Sequence, residues 1–184
     1  MTPRRIHVTG GQGSGKSTLA ARLHSVTGLP VHELDRIARI GGGNGPERPA
    51  AERDAMVEAI AAADDWITEG VHLGWTTPLL ARAQAIVWLD HVTPSGASAR
   101  MVRRFLAGGW HEFRTRRGRE RFLRVGDYLR HTRDLGRSVV RSHTADDSSV
   151  FLAALSGYPA SVVRCGTEAD VDAFVASLTD GRAR

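Results

Sequence analysis

The chain has 184 residues, of which 41% are hydrophobic, 25 are Lys or Arg and 20 are Asp or Glu, giving a formal net charge of +5 at pH 7. No apolar run approaches the roughly 20 residues that a membrane-spanning helix needs, so the composition excludes a membrane protein and predicts one soluble domain over 1–184. The single cysteine, Cys165, allows no internal disulfide, which predicts a reducing, cytoplasmic environment.

The first predicted element is a strand over 6–8, followed by a glycine-rich stretch and then a helix. The stretch GGQGSGKS satisfies the pattern G-x-x-x-x-G-K-[ST], and its Lys16 is the one lysine in the chain. Between a strand and a helix, this pattern is typical of a loop whose backbone N–H groups surround a phosphate. A lysine ammonium on its thin stem can reach the β- and γ-phosphates inside such a loop, whereas a planar guanidinium cannot. The sequence therefore predicts a nucleoside triphosphate site.

The residues of this loop are expected to contact the nucleotide or its magnesium ion. Ser17 would supply its hydroxyl to Mg²⁺, and Thr18 would cap the helix or contact the α-phosphate. The alternative interpretation is a glycine-rich turn before an ordinary helix. The predicted nucleotide-binding residues are Gly10, Gly11, Gln12, Gly13, Ser14, Gly15, Lys16, Ser17 and Thr18.

Further strands and helices alternate along the rest of the chain. The predicted strands are 29–35, 66–70, 83–90 and 158–165, and the predicted helices are 49–63, 76–83, 95–107, 119–141, 145–155 and 168–178. Short apolar strands that alternate with helices predict an α/β fold, with a parallel sheet covered on both faces. Ligands of such sheets bind at the carboxyl ends of the strands. Because Asp35, Glu69 and Asp90 end three of these strands, we expect them to share one site.

Arginine is concentrated in one part of the chain, between residues 100 and 141. This segment holds thirteen arginines and four acids. Such a basic segment could bind nucleic acid, or it could clamp a polyphosphate. Arg100 and Arg104 lie one helical turn apart on a predicted helix, so they share a face and are expected to contact phosphate. Two histidines, His72 and His111, are placed where a substrate could reach them.

These motifs together resemble the small P-loop kinases of the adenylate kinase and shikimate kinase type. The resemblance is strongest to the adenylate-kinase-like proteins called DNA topology modulation proteins. The matching segments, in chain order, are GGQGSGKSTLAARL, ELD, WITEG, IVWLD and ASARMVRRFLAGGW. The chain departs from that family at Glu69, which replaces an aspartate, and at Val71-His72, which replaces Asn-Tyr. It also lacks the family's tryptophans in its segment RIARIGGGNGPERP.

The resemblance implies a P-loop NTPase with a five-stranded parallel sheet of order 2-3-1-4-5. It also implies an acceptor-binding segment over about 36–65 and an arginine-rich lid over about 105–124, both within the single domain. Paired glycines beside the arginines would permit the backbone changes that closure of a lid requires. Gly166 and Thr167, after the last strand, resemble the family's loop that lines the adenine.

The acids are expected to have different roles. Asp35 would accept the proton of an acceptor hydroxyl or hold that hydroxyl in line, and the alternative is an N-cap for a helix that starts at Arg36. Glu69 would hold a water on Mg²⁺ or act as the base, and with Ser17 it forms the predicted metal site. The alternative for Glu69 is an ordinary surface acid. Asp90 follows an apolar run, a pattern typical of a metal-binding aspartate, but the resemblance implies instead a residue that orders the lid helix.

The sequence therefore predicts an ATP- and Mg²⁺-dependent kinase that transfers the γ-phosphoryl group to a small acceptor. The acceptor would be a nucleotide, a nucleoside or another hydroxyl metabolite, and the protein would be a monomer or homodimer without a membrane partner. The predicted catalytic residues are Lys16, Asp35, Glu69, Arg100 and Arg104. Two alternatives remain: a nucleic-acid-binding P-loop protein, whose binding would depend steeply on salt, and a regulatory NTPase without a transfer substrate.

Overall fold

A computed structural model of the chain describes residues 2–11, 13–41, 45–72, 74–90, 155, 157–158 and 160–180. Two compact units divide the chain: Met1–Gly10, Ser14–His91 and Leu152–Arg184 form the first, and Gly11–Gly13 and Val92–Phe151 form the second. All helices and strands given below belong to the first unit. The predicted helices over 95–107 and 119–141 and the predicted lid lie outside the described residues, as does all but one residue of the predicted helix over 145–155.

The described part of the chain contains five strands, which form one parallel sheet in the order β2-β3-β1-β4-β5. The central strands β1, β3 and β4 are buried along almost their whole length, as strands covered on both faces must be, and the edge strands β2 and β5 are partly exposed. The predicted five-stranded sheet and its order are therefore confirmed. The strands are β1 Arg5–Gly10, β2 Val31–Glu33, β3 Trp66–Glu69, β4 Ala85–Leu89 and β5 Ser161–Cys165.

Helices cover the sheet. The helices among the described residues are α1 Lys16–Thr27, α2 Leu34–Ala38, α3 Ala50–Ala62, α4 Thr77–Arg82 and α5 Glu168–Asp180. The first and last of these, α1 and α5, contact each other and bury apolar side chains such as Leu23 and Leu178 against Ile6 and Val8 of β1. By contrast, α4 packs on α3 and also contacts β1. None of the helices in the described ranges is both long and apolar enough to cross a bilayer.

The second strand is shorter than the sequence predicts. The pattern predicts a strand over 29–35, but β2 ends at Glu33 and Leu34 begins α2. Leu34 is fully buried, and it approaches Gly70 so closely that a Cβ on Gly70 would lie 2.8 Å from the Leu34 Cβ. This contact joins segments that are distant in the sequence, so no local pattern records it. Asp35 consequently lies in the first turn of α2, and the alternative role of Asp35 as a helix cap is wrong because Glu33 occupies that position.

Candidate active site

The predicted phosphate-binding loop follows β1 and leads into α1. Gly10 ends the strand with a φ of +145°, and a Cβ there would lie 2.6 Å from the Leu89 carbonyl oxygen and 3.0 Å from the Ser14 hydroxyl. Gly15 precedes α1 in the left-handed conformation, with a φ of 95° and a ψ of 14°. Glycine is therefore required at Gly10 by the close approach of its neighbours, and it is favoured at Gly15 by its backbone conformation.

Ser14 contributes a buried hydroxyl to this loop. The residue is 2% exposed, and its Oγ has no hydrogen-bond partner within the described part of the chain. Buried polar groups are normally paired, so an unpaired hydroxyl in a loop of this sequence pattern suits one that binds a ligand. Among the other predicted loop residues, Gly11 and Gly13 belong to the second unit and Gln12 lies outside the described residues.

Lys16, the first residue of α1, turns back toward the end of β1. Its Nζ donates a hydrogen bond to the Gly10 carbonyl oxygen at 3.1 Å. Burial lowers the pKa of the Lys16 ammonium, and the nearby carboxylates of Glu69 and Asp35 raise it. The ammonium is thus partly removed from water between the loop and two acids, which is an environment suited to a polyanionic ligand.

Ser17 and Glu69 join the loop to the end of β3. The Ser17 hydroxyl donates to Oε1 of Glu69 at 2.8 Å, and Glu69 is only 7% exposed. The sheet places Glu69 beside Val8 of β1 and Glu33 of β2, so the carboxyl ends of three strands meet here. Burial raises the pKa of the Glu69 carboxyl, while the Ser17 hydrogen bond and the Lys16 charge lower it.

A cavity of about 350 Å³ opens beside this pair. It is bordered by residues of α1 and β2, and its lining includes Ser17, Glu33 and Glu69. Oxygen ligands and room for water are what Mg²⁺ requires, because this ion dehydrates reluctantly and takes few ligands from a protein. The residues present therefore fit the predicted metal site, with Ser17 and Glu69 as the groups that would hold the ion.

Asp35 also acts through its charge on Lys16, but its environment differs from that of Glu69. Its side chain is 74% exposed, and its Oδ1 accepts a hydrogen bond from Nε2 of His72 at 3.0 Å. This hydrogen bond lowers the pKa of the Asp35 carboxyl, and the charges of Lys16 and Arg39 act in the same direction against the opposing effect of burial. Asp35 is thus an ionised carboxylate at neutral pH.

His72 is part of a short stack of side chains. Its ring lies 4.9 Å from the ring of Trp75 at an interplanar angle of 32°. The guanidinium of Arg53, from α3, lies 5.0 Å from the centroid of the same tryptophan. The sequence indicated that a substrate could reach His72, but it gave no partner for this residue. The one hint in the sequence was the position of His72, two residues after Gly70, which follows β3. That strand pairs with β2, the strand that precedes Asp35.

Asp90 does not join the other two acids through any described contact. Its Oδ2 instead accepts a hydrogen bond from Nε of Arg164 at 2.8 Å, and the Arg164 guanidinium also lies 5.0 Å from the ring centroid of Trp88. Asp35 and Glu69 both act through their charges on Lys16, and a site shared by these two acids stays a prediction. The charge of Asp90 is instead balanced by Arg164 of β5.

The remaining predicted site residues lie at the far edge of the sheet or outside the described residues. Thr167 and Asp170 cap α5 reciprocally, because each backbone N–H donates to the side chain of the other, at 2.8 and 3.2 Å. The nucleotide contacts of Gly166 and Thr167 stay a prediction. Arg100 and Arg104 are outside the described residues.

Cys165 is fully buried and burial raises the pKa of its thiol, so it is a core residue.

Comparison with known proteins places the fold. No protein-family model matches the chain, and no curated protein sequence matches it. A gluconokinase from Sinorhizobium meliloti 1021 has a similar structure, with a TM-score of 0.52 and 17% identity over 99% of this chain and 97% of that chain. A shikimate kinase from Bacteroides thetaiotaomicron also has a TM-score of 0.52, with 16% identity over 99% of both chains. At such low identity the likeness concerns the fold alone, and this chain shares an α/β fold with these two structures.

Proposed function

We propose that this protein is an ATP- and Mg²⁺-dependent kinase that transfers the γ-phosphoryl group of ATP to a small acceptor. The observation that carries the proposal is the convergence of Lys16, Ser17 and Glu69. Lys16 reaches the Gly10 carbonyl oxygen at 3.1 Å, and the Ser17 hydroxyl bonds Glu69 at 2.8 Å across 52 residues of sequence. A phosphate loop that meets an acid from a neighbouring strand end has the parts that triphosphate chemistry needs.

Each of these groups has a distinct role in binding the nucleotide. Lys16 would bind oxygens of the β- and γ-phosphates, and the buried hydroxyl of Ser14 would donate to a phosphate oxygen. Ser17 would ligate Mg²⁺ directly, and Glu69 would hold it directly or through a water. When bound, Mg²⁺ neutralises charge on the β- and γ-phosphates. Phosphoryl transfer depends mainly on such positioning and neutralisation.

The carboxylate of Asp35 is the group proposed to act on the acceptor hydroxyl. Its carboxylate would accept the proton of the acceptor hydroxyl as that oxygen bonds to the γ-phosphorus. The bond from the γ-phosphorus to the bridging oxygen breaks, and ADP leaves with the released electron pair. Asp35 is ionised at neutral pH, as a group that accepts this proton must be, but its lowered pKa makes it a weak base. Holding the acceptor hydroxyl in line with the γ-phosphorus would therefore be the larger part of its role.

The comparisons support a kinase more than they support any acceptor. Two solved structures with a similar fold are a gluconokinase and a shikimate kinase, which are both kinases by name. We therefore leave the acceptor within the class of small molecules: a sugar-like or hydroxy-acid metabolite, a nucleoside or a nucleotide.

Replacement of Lys16 tests the proposal. We expect Lys16→Ala to lower ATP-dependent phosphorylation by roughly 10²–10³-fold, because a preorganised positive charge at the transferring group is lost. The measurement is ADP release with Mg²⁺ and a panel of sugars, hydroxy acids, nucleosides and nucleoside monophosphates. Arg22→Ala is the matched control, since Arg22 lies on the same helix but pairs with Asp172 at the surface.

Three results would contradict the kinase function. Unchanged ADP release in Lys16→Ala would show that the loop containing Lys16 is not the ATP site. ADP release that no acceptor stimulates would favour a regulatory NTPase. Tight, salt-sensitive retention of DNA or RNA without any phosphorylated product would favour a nucleic-acid-binding protein.

A further inference from the structure

We propose that His72 is a positioning residue that fixes the carboxylate of Asp35, so that one oxygen is held by the imidazole and the other faces the acceptor hydroxyl. The inference rests on the proposed kinase function, because it concerns the acceptor side of the same site. The contact that carries it joins Nε2 of His72 to Oδ1 of Asp35 at 3.0 Å, across 37 residues of sequence.

Asp35 needs such a partner because its own element holds it weakly. Helix α2 has five residues, and Asp35 lies in its first turn with a side chain that is 74% exposed. An exposed carboxylate on a short helix can rotate about its side-chain torsions, and its oxygens would then face the acceptor only part of the time. A hydrogen bond to one of its oxygens removes most of that freedom.

His72 is suited to this role because it is itself held in place. Its side chain is only 31% exposed, and one side of its ring packs against Trp75. Trp75 in turn contacts the guanidinium of Arg53, which also bonds the Asp54 carboxylate at 2.7 Å. The Thr76 hydroxyl donates to the His72 carbonyl oxygen and fixes the backbone as well. A continuous set of contacts therefore runs from α3 to the Asp35 carboxylate.

A contact between two side chains at the surface usually adds little to the stability of a protein. The position of this pair suits a different purpose, because Asp35 also feels the charge of Lys16 in the phosphate loop. Lys16 from α1 and Arg39 from the end of α2 act on Asp35 through their charges, and His72 from the segment after β3 acts on it chiefly through the hydrogen bond. Among the described residues, the acids Glu69 and Glu33 lie at the adjacent ends of β3 and β2. His72 gives Asp35 a directional contact among these charges.

The role of His72 requires an N–H donor and no proton transfer. The proton of the acceptor hydroxyl goes to Asp35, and the imidazole keeps its own Nε2 proton throughout. A glutamine at this position can place an amide N–H near the site of Nε2, whereas an alanine cannot. The proposal therefore predicts that His72→Gln restores what His72→Ala loses, and a histidine that acted as a base would not be replaced in this way.

The first test needs no acceptor. The carboxyl ¹³C resonance of Asp35, assigned by its loss in Asp35→Asn, is titrated by NMR in the wild type, His72→Ala and His72→Gln. We expect the pKa of Asp35 to rise in His72→Ala, because the hydrogen bond to His72 is the largest cause of its low value. We expect His72→Gln to give a pKa nearer to that of the wild type. An unchanged Asp35 pKa in His72→Ala would overturn the proposal.

The second test uses the acceptor of the panel that the wild type phosphorylates. We expect His72→Ala to lower kcat/KM for the acceptor by about 10–100-fold and to move the acidic limb of its pH profile to higher pH, with little change in KM for ATP. His72→Gln should recover most of the loss. Val71→Ala is the matched control, because Val71 is the exposed neighbour of His72 and is 43% exposed.

The outcomes separate this inference from the kinase function. A wild type that phosphorylates an acceptor, with both His72 variants equally active, would overturn the positioning role and leave the kinase function intact. A wild type that phosphorylates nothing would overturn the kinase function and, with it, the role in transfer, while the Asp35 titration still decides whether His72 fixes the carboxylate. If His72→Ala fails to fold, Trp75→Leu is the second variant, because it removes the ring that packs against the His72 imidazole. It should lower kcat/KM for the acceptor by a smaller factor.

Discussion

Two carboxylates near one lysine are placed in opposite environments. Glu69 is buried at the end of β3, and burial raises the pKa of its carboxyl. Asp35 is exposed on α2, and the hydrogen bond from His72 lowers the pKa of its carboxyl. Environments that separate the pKa values of two acids are typical of sites in which the acids have different tasks. We therefore propose that Glu69 serves the nucleotide and Asp35 serves the acceptor.

Conservative amide substitutions test that division. We expect Glu69→Gln to slow every ATP-consuming reaction, including slow hydrolysis by water, because it removes a negative charge from the predicted metal site. We expect Asp35→Asn to lower transfer to the acceptor by roughly 10²–10⁴-fold, the usual contribution of a general base, while ATP affinity is kept. Steady-state kinetics with and without acceptor, together with calorimetric ATP binding, measure both effects. Equal losses of hydrolysis and transfer in the two variants would contradict the division.

At the scale of elements, the site depends on how closely α2 approaches the end of β3. Gly70 follows β3, and its N–H donates to the Val8 carbonyl oxygen at 3.1 Å, which continues the pairing with β1. A Cβ on Gly70 would lie 2.8 Å from the Cβ of Leu34, the first residue of α2. Because a Cβ atom moves only with its backbone, the close approach can be relieved only by a backbone shift, either of the segment after β3 or of α2, which carries Asp35.

Gly70→Ala should therefore both destabilise the protein and misplace Asp35. We expect a loss of about 1–3 kcal/mol in the free energy of unfolding, the usual cost of overpacking. We also expect transfer to the acceptor to fall more than ATP hydrolysis does. Urea unfolding and the two rates measure this, and Gly74→Ala is the matched control because nothing lies within 4 Å of a Cβ there. A Gly70→Ala protein as stable and active as Gly74→Ala would show that α2 adapts freely.

At the scale of the whole molecule, a buried histidine links folding to pH. His7 lies on central strand β1 at 0% exposure, and its Nδ1 is 2.9 Å from the Thr68 hydroxyl of β3. Burial lowers the pKa of His7 from 6.5 to about 4. The folded protein thus keeps this imidazole neutral over a range in which the unfolded chain binds a proton.

Acid should therefore destabilise the fold in a defined range. Because the unfolded state binds more protons than the folded state between pH 6.5 and about 4, stability should fall as the pH falls through that range. The contribution of His7 amounts to about 3 kcal/mol at most. Urea unfolding from pH 8 to 4 measures it, and His7→Leu should reduce the slope between pH 6.5 and 4 while leaving the curves parallel above pH 7. The same slope in both proteins would mean that other groups cause the acid sensitivity.

Features that depend on local spacing could be predicted from the amino-acid sequence. The phosphate loop is defined by eight consecutive residues that end in Lys16 and Ser17, and its strand-loop-helix context follows from the adjacent apolar pattern. The alternation of short apolar strands with helices predicted the parallel sheet, since buried strands of this type have few other arrangements. The strand order came from a resemblance to known kinases, and the structure confirms it.

Which distant side chains meet became visible only in the folded chain. Leu34, at the start of α2, lies close to Gly70, and Asp90 accepts a hydrogen bond from Arg164, which is 74 residues away. The bond between Asp35 and His72 is of the same kind. The physical reason is that hydrophobic periodicity fixes which face of an element is buried, but it does not fix which neighbour that face meets. Strand order and register fix the neighbour, and they are properties of the assembled sheet.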